Sequence, residues 1–170
     1  FCSGISIENP FVETQFNPEI PKQAALTVTT ELVNYTNKTI SGVIKCAIDE
    51  LIFDKLITVK PGERKLVDFT PDDFLELNIL NPVLWWPNNL GNASLYKLEL
   101  FFEINNKISD SNEITFGIRK VEDYINNEGH RGFKINGKKV LIKGAGWTDD
   151  LFLQDTHESL EAQIAYVKHM

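Results

Sequence analysis

Apolar and polar positions alternate with a period of two through most of the first 120 residues. Leu26, Val28, Thr30 and Leu32 alternate with Thr27, Thr29 and Glu31, the pattern of a strand with one buried face. Ile44, Cys46 and Ile48 repeat it against Lys45 and Ala47. Ile57 to Lys60 ends at Pro61-Gly62, a pair in which Pro presets φ and Gly accepts a positive φ. Lys65 to Phe69 ends at Thr70-Pro71-Asp72-Asp73. Tyr96, Leu98, Leu100 and Phe102 share one face, and Phe101 on the other face predicts partial cover there. Ile114, Phe116 and Ile118 close the series. Six or more short strands with no helix between them predict a mainly β fold, an antiparallel β-sandwich.

The strand spacing is immunoglobulin-like in architecture only, because the disulfide and Trp pairing of antibody domains is absent. After residue 121 the pattern changes. Glu122 to Arg131 is polar, contains Asn126-Asn127-Glu128-Gly129, and reads as a linker. Asn136-Gly137 between two apolar runs is a strong hairpin signal, since both turn positions need positive φ. The run Val140 to Lys143 then stops at Gly144 and Gly146 and delivers Trp147, Asp149 and Asp150. Asp155 with Glu158 three residues later predicts a helix start. Leu160, Ile164 and Val167 follow as one apolar stripe. That stripe needs cover, and is expected to find it on the sandwich or on a neighbouring chain. The predicted organisation is a sandwich over 1–121, a linker over 122–131, and over 132–170 the strand–loop–helix that opens an α/β architecture continuing elsewhere. The chain therefore reads as a piece of an enzyme.

The chain has 170 residues and a formal net charge of −7. That balance argues against a nucleic-acid partner, which calls for concentrated Lys and Arg. No apolar run reaches the length of a membrane span. Cys46 lies in an apolar alternation and is read as a small buried hydrophobe; whether it pairs with Cys2 stays open. The N-x-S/T triplets at Asn34, Asn37 and Asn92 are no more than chance supplies in so polar a chain. Trp85 and Trp86 lie between Pro82 and Pro87. Adjacent strand residues point to opposite faces, so structural packing of at least one Trp is the favoured reading over a sugar platform. His130, His157 and His169 lack the i, i+4 pairing of a zinc helix, and no metal or cofactor is implied.

Thr70-Pro71-Asp72-Asp73-Phe74, then Asn81-Pro82-Val83-Leu84-Trp85-Trp86-Pro87-Asn88-Asn89-Leu90-Gly91, then Leu95-Tyr96 resembles the sandwich domain of glycoside hydrolase family 2. Phe116-Gly117-Ile118-Arg119 resembles the strand that closes it. Phe133 to Gly137 and Val140 to Trp147 resemble the entry into the family's catalytic (β/α)8 barrel, and Gly144 to Phe152 is most similar to the exo-β-D-glucosaminidase branch, then the β-mannosidases. Thr148-Asp149 departs from that pattern, which usually has a small residue and Pro before the Asp. The resemblance implies a retaining glycosidase with two carboxyl groups about 5–5.5 Å apart, both Glu residues on later barrel strands. The family's acid/base lies in an Asn-Glu pair. Asn112-Glu113 and Asn127-Glu128 stand in a sandwich strand and the linker, the wrong places for it. No catalytic residue is therefore expected here, and the chain alone should be inactive.

The resemblance gives the loop a sugar-binding role. The indole of Trp147 would stack on a sugar, and the carboxylate of Asp150, with Asp149 the second candidate, would hold its hydroxyls or ammonium. Trp147 packing beneath the loop and Asp150 capping a turn is the competing reading. The implied partners are an oligosaccharide or polysaccharide substrate and the rest of the barrel, in a secreted or periplasmic protein. The alternative is a non-catalytic carbohydrate-binding or adhesion sandwich of a surface protein.

Overall fold

The computed structural model describes residues 4–18, 23–144, 146–148, 151 and 156–169. Two compact units divide between Val140 and Leu141. The first contains two sheets packed over one core. β1 (Ile5–Phe16) pairs with β2 (Gln23–Asn34), whose other edge is shared by β5 (Arg64–Phe69) and β6 (Asn78–Leu80). The facing sheet runs in the order β4 (Leu51–Val59), β3 (Ile40–Ile48), β7 (Tyr96–Ile104), β8 (Lys107–Phe116), and every pairing in both is antiparallel. The predicted core faces hold. Leu26, Val28, Thr30 and Leu32 are buried, as are Ile44, Cys46, Ile48, Leu98, Leu100 and Phe102. Cys46 is a free thiol, and burial pushes its pKa up to about 12.

The turns are built as their residues require. Glu63 N–H donates to the Lys60 carbonyl across Pro61-Gly62, with Gly62 at φ 65, the position that needs positive φ in a type II turn. The Thr70–Phe74 turn closes one end of the core. Phe74 N–H donates to the Thr70 carbonyl, and its ring lies 5.0 Å from Phe53 and 5.7 Å from Phe69. Lys55 Nζ and Asp73 Oδ2, 2.8 Å apart, hold this turn against β4. Of the three N-x-S/T asparagines, Asn34 is fully buried, its Nδ2 donating to the carbonyls of Lys38 and Val59.

In the first unit two features differ from the sequence expectation. β1 was not anticipated, because Asn9-Pro10 interrupts its alternation. The chain accommodates the pair with a bulge between Glu8 and Phe11 and Asn9 at φ 49. An edge strand tolerates the missing proline donor. The expected linker is instead a hairpin: β9 (Val121–Ile125) pairs with β10 (Arg131–Ile135), which pairs with β11 (Lys138–Val140). The polar composition of 122–131 reflects a thin sheet rather than a free connection, and Asn126 to His130 form its turn. The compact unit accordingly runs through Val140.

In the second unit, residues 141–144 have no regular structure where a strand was expected. Among the described residues nothing pairs with them, and an extended segment without a ladder partner is not a strand. α1 (His157–His169) is present, but Thr156 caps it: Thr156 Oγ1 accepts from Ser159 N–H at 3.1 Å. Asp155, the expected cap, lies outside the described residues. α1 has no buried residue, and Leu160, Ile164 and Val167 are exposed. Among the described residues of this unit none covers the stripe.

Candidate functional site

The Trp85-Trp86 corner lies between the sandwich and the three-stranded sheet. Trp85 N–H donates to the Ile118 carbonyl, and Trp86 N–H to the Asn92 carbonyl. Gly117 and Gly91 supply the space: a Cβ at either would come within 3.0 Å of a Trp side chain. Arg119 lies 4.6 Å from the centroid of the Trp85 ring, and Lys138 Nζ 4.7 Å from that of Trp86. Both residues are half-buried and covered by cations. The corner is a packing element, as favoured from the sequence.

Asn136 joins this corner to the three-stranded sheet. The Asn-Gly turn forms as predicted, with φ 52 at Asn136 and 78 at Gly137. The Asn136 side chain does more than favour the turn. Its Nδ2 donates to the Trp85 carbonyl and its Oδ1 accepts from Lys120 N–H, both at 2.9 Å, while its own N–H donates to the Lys120 carbonyl. It is one of four buried polar residues among those described. Sequence reasoning gave this residue only its turn role. The signal for the second role is that a buried Asn must spend its amide on something.

Of the predicted site residues, Trp147 is described and is 55% exposed. Asp149 and Asp150 lie outside the described residues. The two Asn-Glu pairs are engaged elsewhere. Asn112 Nδ2 donates to the Ile7 carbonyl, and Glu113 Oε2 lies 2.9 Å from Lys97 Nζ. Glu128 lies 3.4 Å from His130 Nδ1 in the β9–β10 turn. His157 is an exposed partner of Glu161 on α1. Among the described residues no group of His, Cys, Asp and Glu could hold a metal ion, and no helix is long and apolar enough to cross a membrane.

Sequence and structure comparisons agree with this geometry. The family described as Glycosyl hydrolases family 2 matches residues 5–119. An exo-β-D-glucosaminidase of Streptomyces avermitilis is 30% identical over 162 residues, covering 95% of this chain and 18% of its own length. A mannosylglycoprotein endo-β-mannosidase of Lilium longiflorum is 43% identical over 68 residues, 39% of this chain and 7% of the relative. The exo-chitosanase of Amycolatopsis orientalis, in complex with PNP-β-D-glucosamine, superposes with a TM-score of 0.82 and 26% identity over 96% of this chain and 19% of that one. The chain thus spans between about an eighth and a fifth of the length of the curated glucosaminidases it matches. The sandwich, its Trp corner and these matches together make the chain a member of glycosyl hydrolases family 2.

Proposed function

We propose that the chain is a non-catalytic internal segment of a retaining glycosidase of the exo-β-D-glucosaminidase or β-mannosidase type. In the intact protein the sandwich would brace the catalytic (β/α)8 barrel. Residues 132–170 would form the barrel's first strand–loop–helix, with the reactive Glu pair on later strands. What supports this reading most is where the likeness ends. The family match stops at residue 119, yet the Streptomyces glucosaminidase and the Amycolatopsis structure remain alignable over 95% and 96% of the chain.

On this reading Trp147 and Asp150 face the sugar at the mouth of the barrel, where βα loops build the active site. The indole covers an apolar sugar face, and the carboxylate binds hydroxyls or an ammonium group through charge-assisted hydrogen bonds. Asp149 is the second candidate for that contact. The test is to assay the parent protein on nitrophenyl β-D-glucosaminide, β-D-mannoside and β-D-galactoside, following the product anomer by NMR. The parent should cleave the glucosaminide or the mannoside with retention, and the 170-residue chain alone should cleave none. Asp150→Asn should cost the parent about tenfold or more in kcat/KM. A parent that cleaves no glycoside would overturn the proposal in favour of an adhesion module.

A further inference from the structure

The face of the β9–β11 sheet that carries Tyr124 also carries Lys134 and Lys139, and Glu122, directly across from Lys134, is engaged by Lys120 at 3.0 Å. Residues 119–143 hold seven Lys and Arg against three Asp and Glu, in a chain with 17 against 24. Lys134 on β10 and Lys139 on β11 are direct cross-strand partners. Like charges placed opposite each other are unfavourable, and among the described residues neither ammonium has a carboxylate in ion-pair contact. Their Nζ atoms lie instead 5.5 and 5.2 Å from the centroid of the Tyr124 ring, which offsets part of the repulsion. Tyr124 lies over Gly132, where a Cβ would come within 2.4 Å of the ring's Cζ. Glycine is what allows the ring onto the sheet.

Beside this ring is an open cavity of about 490 Å³, walled by Tyr124, Lys134, Lys139 and the Asn126–Glu128 turn. That volume lies in the range of small-molecule sites, roughly 300–1,000 Å³. The wall's one carboxylate, Glu128, is engaged with His130, and Asn126 Oδ1 accepts the N–H groups of Glu128 and His130. A second cavity of about 370 Å³ shares Lys134 and is lined also by Lys120, Lys138 and Glu122, the last paired with Lys120.

We propose that this cavity is an accessory site for an acidic sugar. Lys134 and Lys139 hold its anionic group, and Tyr124 packs on its C–H face. An aminosugar would meet two ammonium groups of its own charge and be rejected. The site does not rest on the glycosidase reading, and binding can be measured whether or not the parent is active.

The experiment is an amide NMR titration of the 170-residue chain at constant ionic strength with galacturonic acid, glucose, glucosamine and sodium sulfate. Galacturonic acid should give saturable shifts at Tyr124, Gly132, Lys134 and Lys139, and glucose and glucosamine should give none. Lys134→Gln or Lys139→Gln should weaken galacturonic acid about tenfold, with amide shifts outside the sheet unchanged. Tyr124→Leu should weaken galacturonic acid and leave sulfate unaffected. Absence of saturation, equal shifts with glucose, or indifference to both lysine variants would overturn the proposal. Sulfate binding as tightly as galacturonic acid would overturn its sugar component.

Discussion

Replacing Asn136 separates its two roles. Asn136→Gly keeps a residue that accepts φ 52 but removes the side chain that bonds the Trp85 carbonyl and Lys120 N–H. Two hydrogen bonds at about 1–1.5 kcal/mol each give a loss of about 2–3 kcal/mol. Asn136→Ala loses the same bonds and also places a Cβ in the left-handed region, which adds about 1 kcal/mol. The predicted order of stability is wild type, then Gly, then Ala. Asn136→Asp should fall between wild type and Gly, because it keeps an acceptor for Lys120 N–H but turns an oxygen toward the Trp85 carbonyl. Urea unfolding followed by tryptophan fluorescence measures all three on one signal, since Trp85 sits at the affected contact. An Ala variant no less stable than the Gly variant would refute the backbone part of the argument. A Gly variant within about 0.5 kcal/mol of wild type would refute the hydrogen-bond part.

Three further outcomes follow from the core and the surface. Phe69 is fully buried against Phe74, so Phe69→Ala should cost about 3–5 kcal/mol in the same unfolding experiment. Glu8 has its pKa lowered from 4.5 by the Tyr35 hydroxyl and then Arg64, and Glu31 by the Asn9 amide and then Arg64. A depressed carboxyl contributes stability above its unfolded pKa and loses it as pH falls through the folded value. The loss should therefore begin below pH 4.5, and Arg64→Gln should move both Glu titrations back up when followed by side-chain NMR. The Cys46 thiol, pushed up to about 12 by burial, should react with a thiol reagent at pH 8 only as the protein unfolds, whereas prompt reaction of this residue in the native protein would show that it is not buried.

The sandwich was readable because each central strand has one core face and one solvent face. Leu26 to Leu32 and Leu98 to Phe102 announce this in their alternation. β1 escaped notice because its information is interrupted at Pro10, and only pairing with β2 shows that a bulge absorbs the break. β9 escaped for a different reason. Its sheet is thin and exposed, so Glu122, Asp123, Asn126 and Asn127 carry no burial signal, and its strand character comes from the ladder to β10. The same holds for the basic cavity: Tyr124, Gly132, Lys134 and Lys139 are brought together by register, which composition does not encode. The Asn-Gly turn was legible from φ preference alone, while the tie from Asn136 to Trp85 spans 51 residues. The sugar loop was legible only through family resemblance, since a Trp and two Asp in isolation specify no fold.

The central claim is that residues 132–170 open a catalytic barrel. A crystal structure of the parent protein with D-glucosamine tests it most directly. Leu141 to Lys143 should pair in parallel with another strand, the Leu160, Ile164 and Val167 stripe should be buried against that sheet, and Trp147 and Asp150 should contact the sugar. Finding Leu141 to Lys143 unpaired, with the sugar bound far from Trp147, would contradict the account.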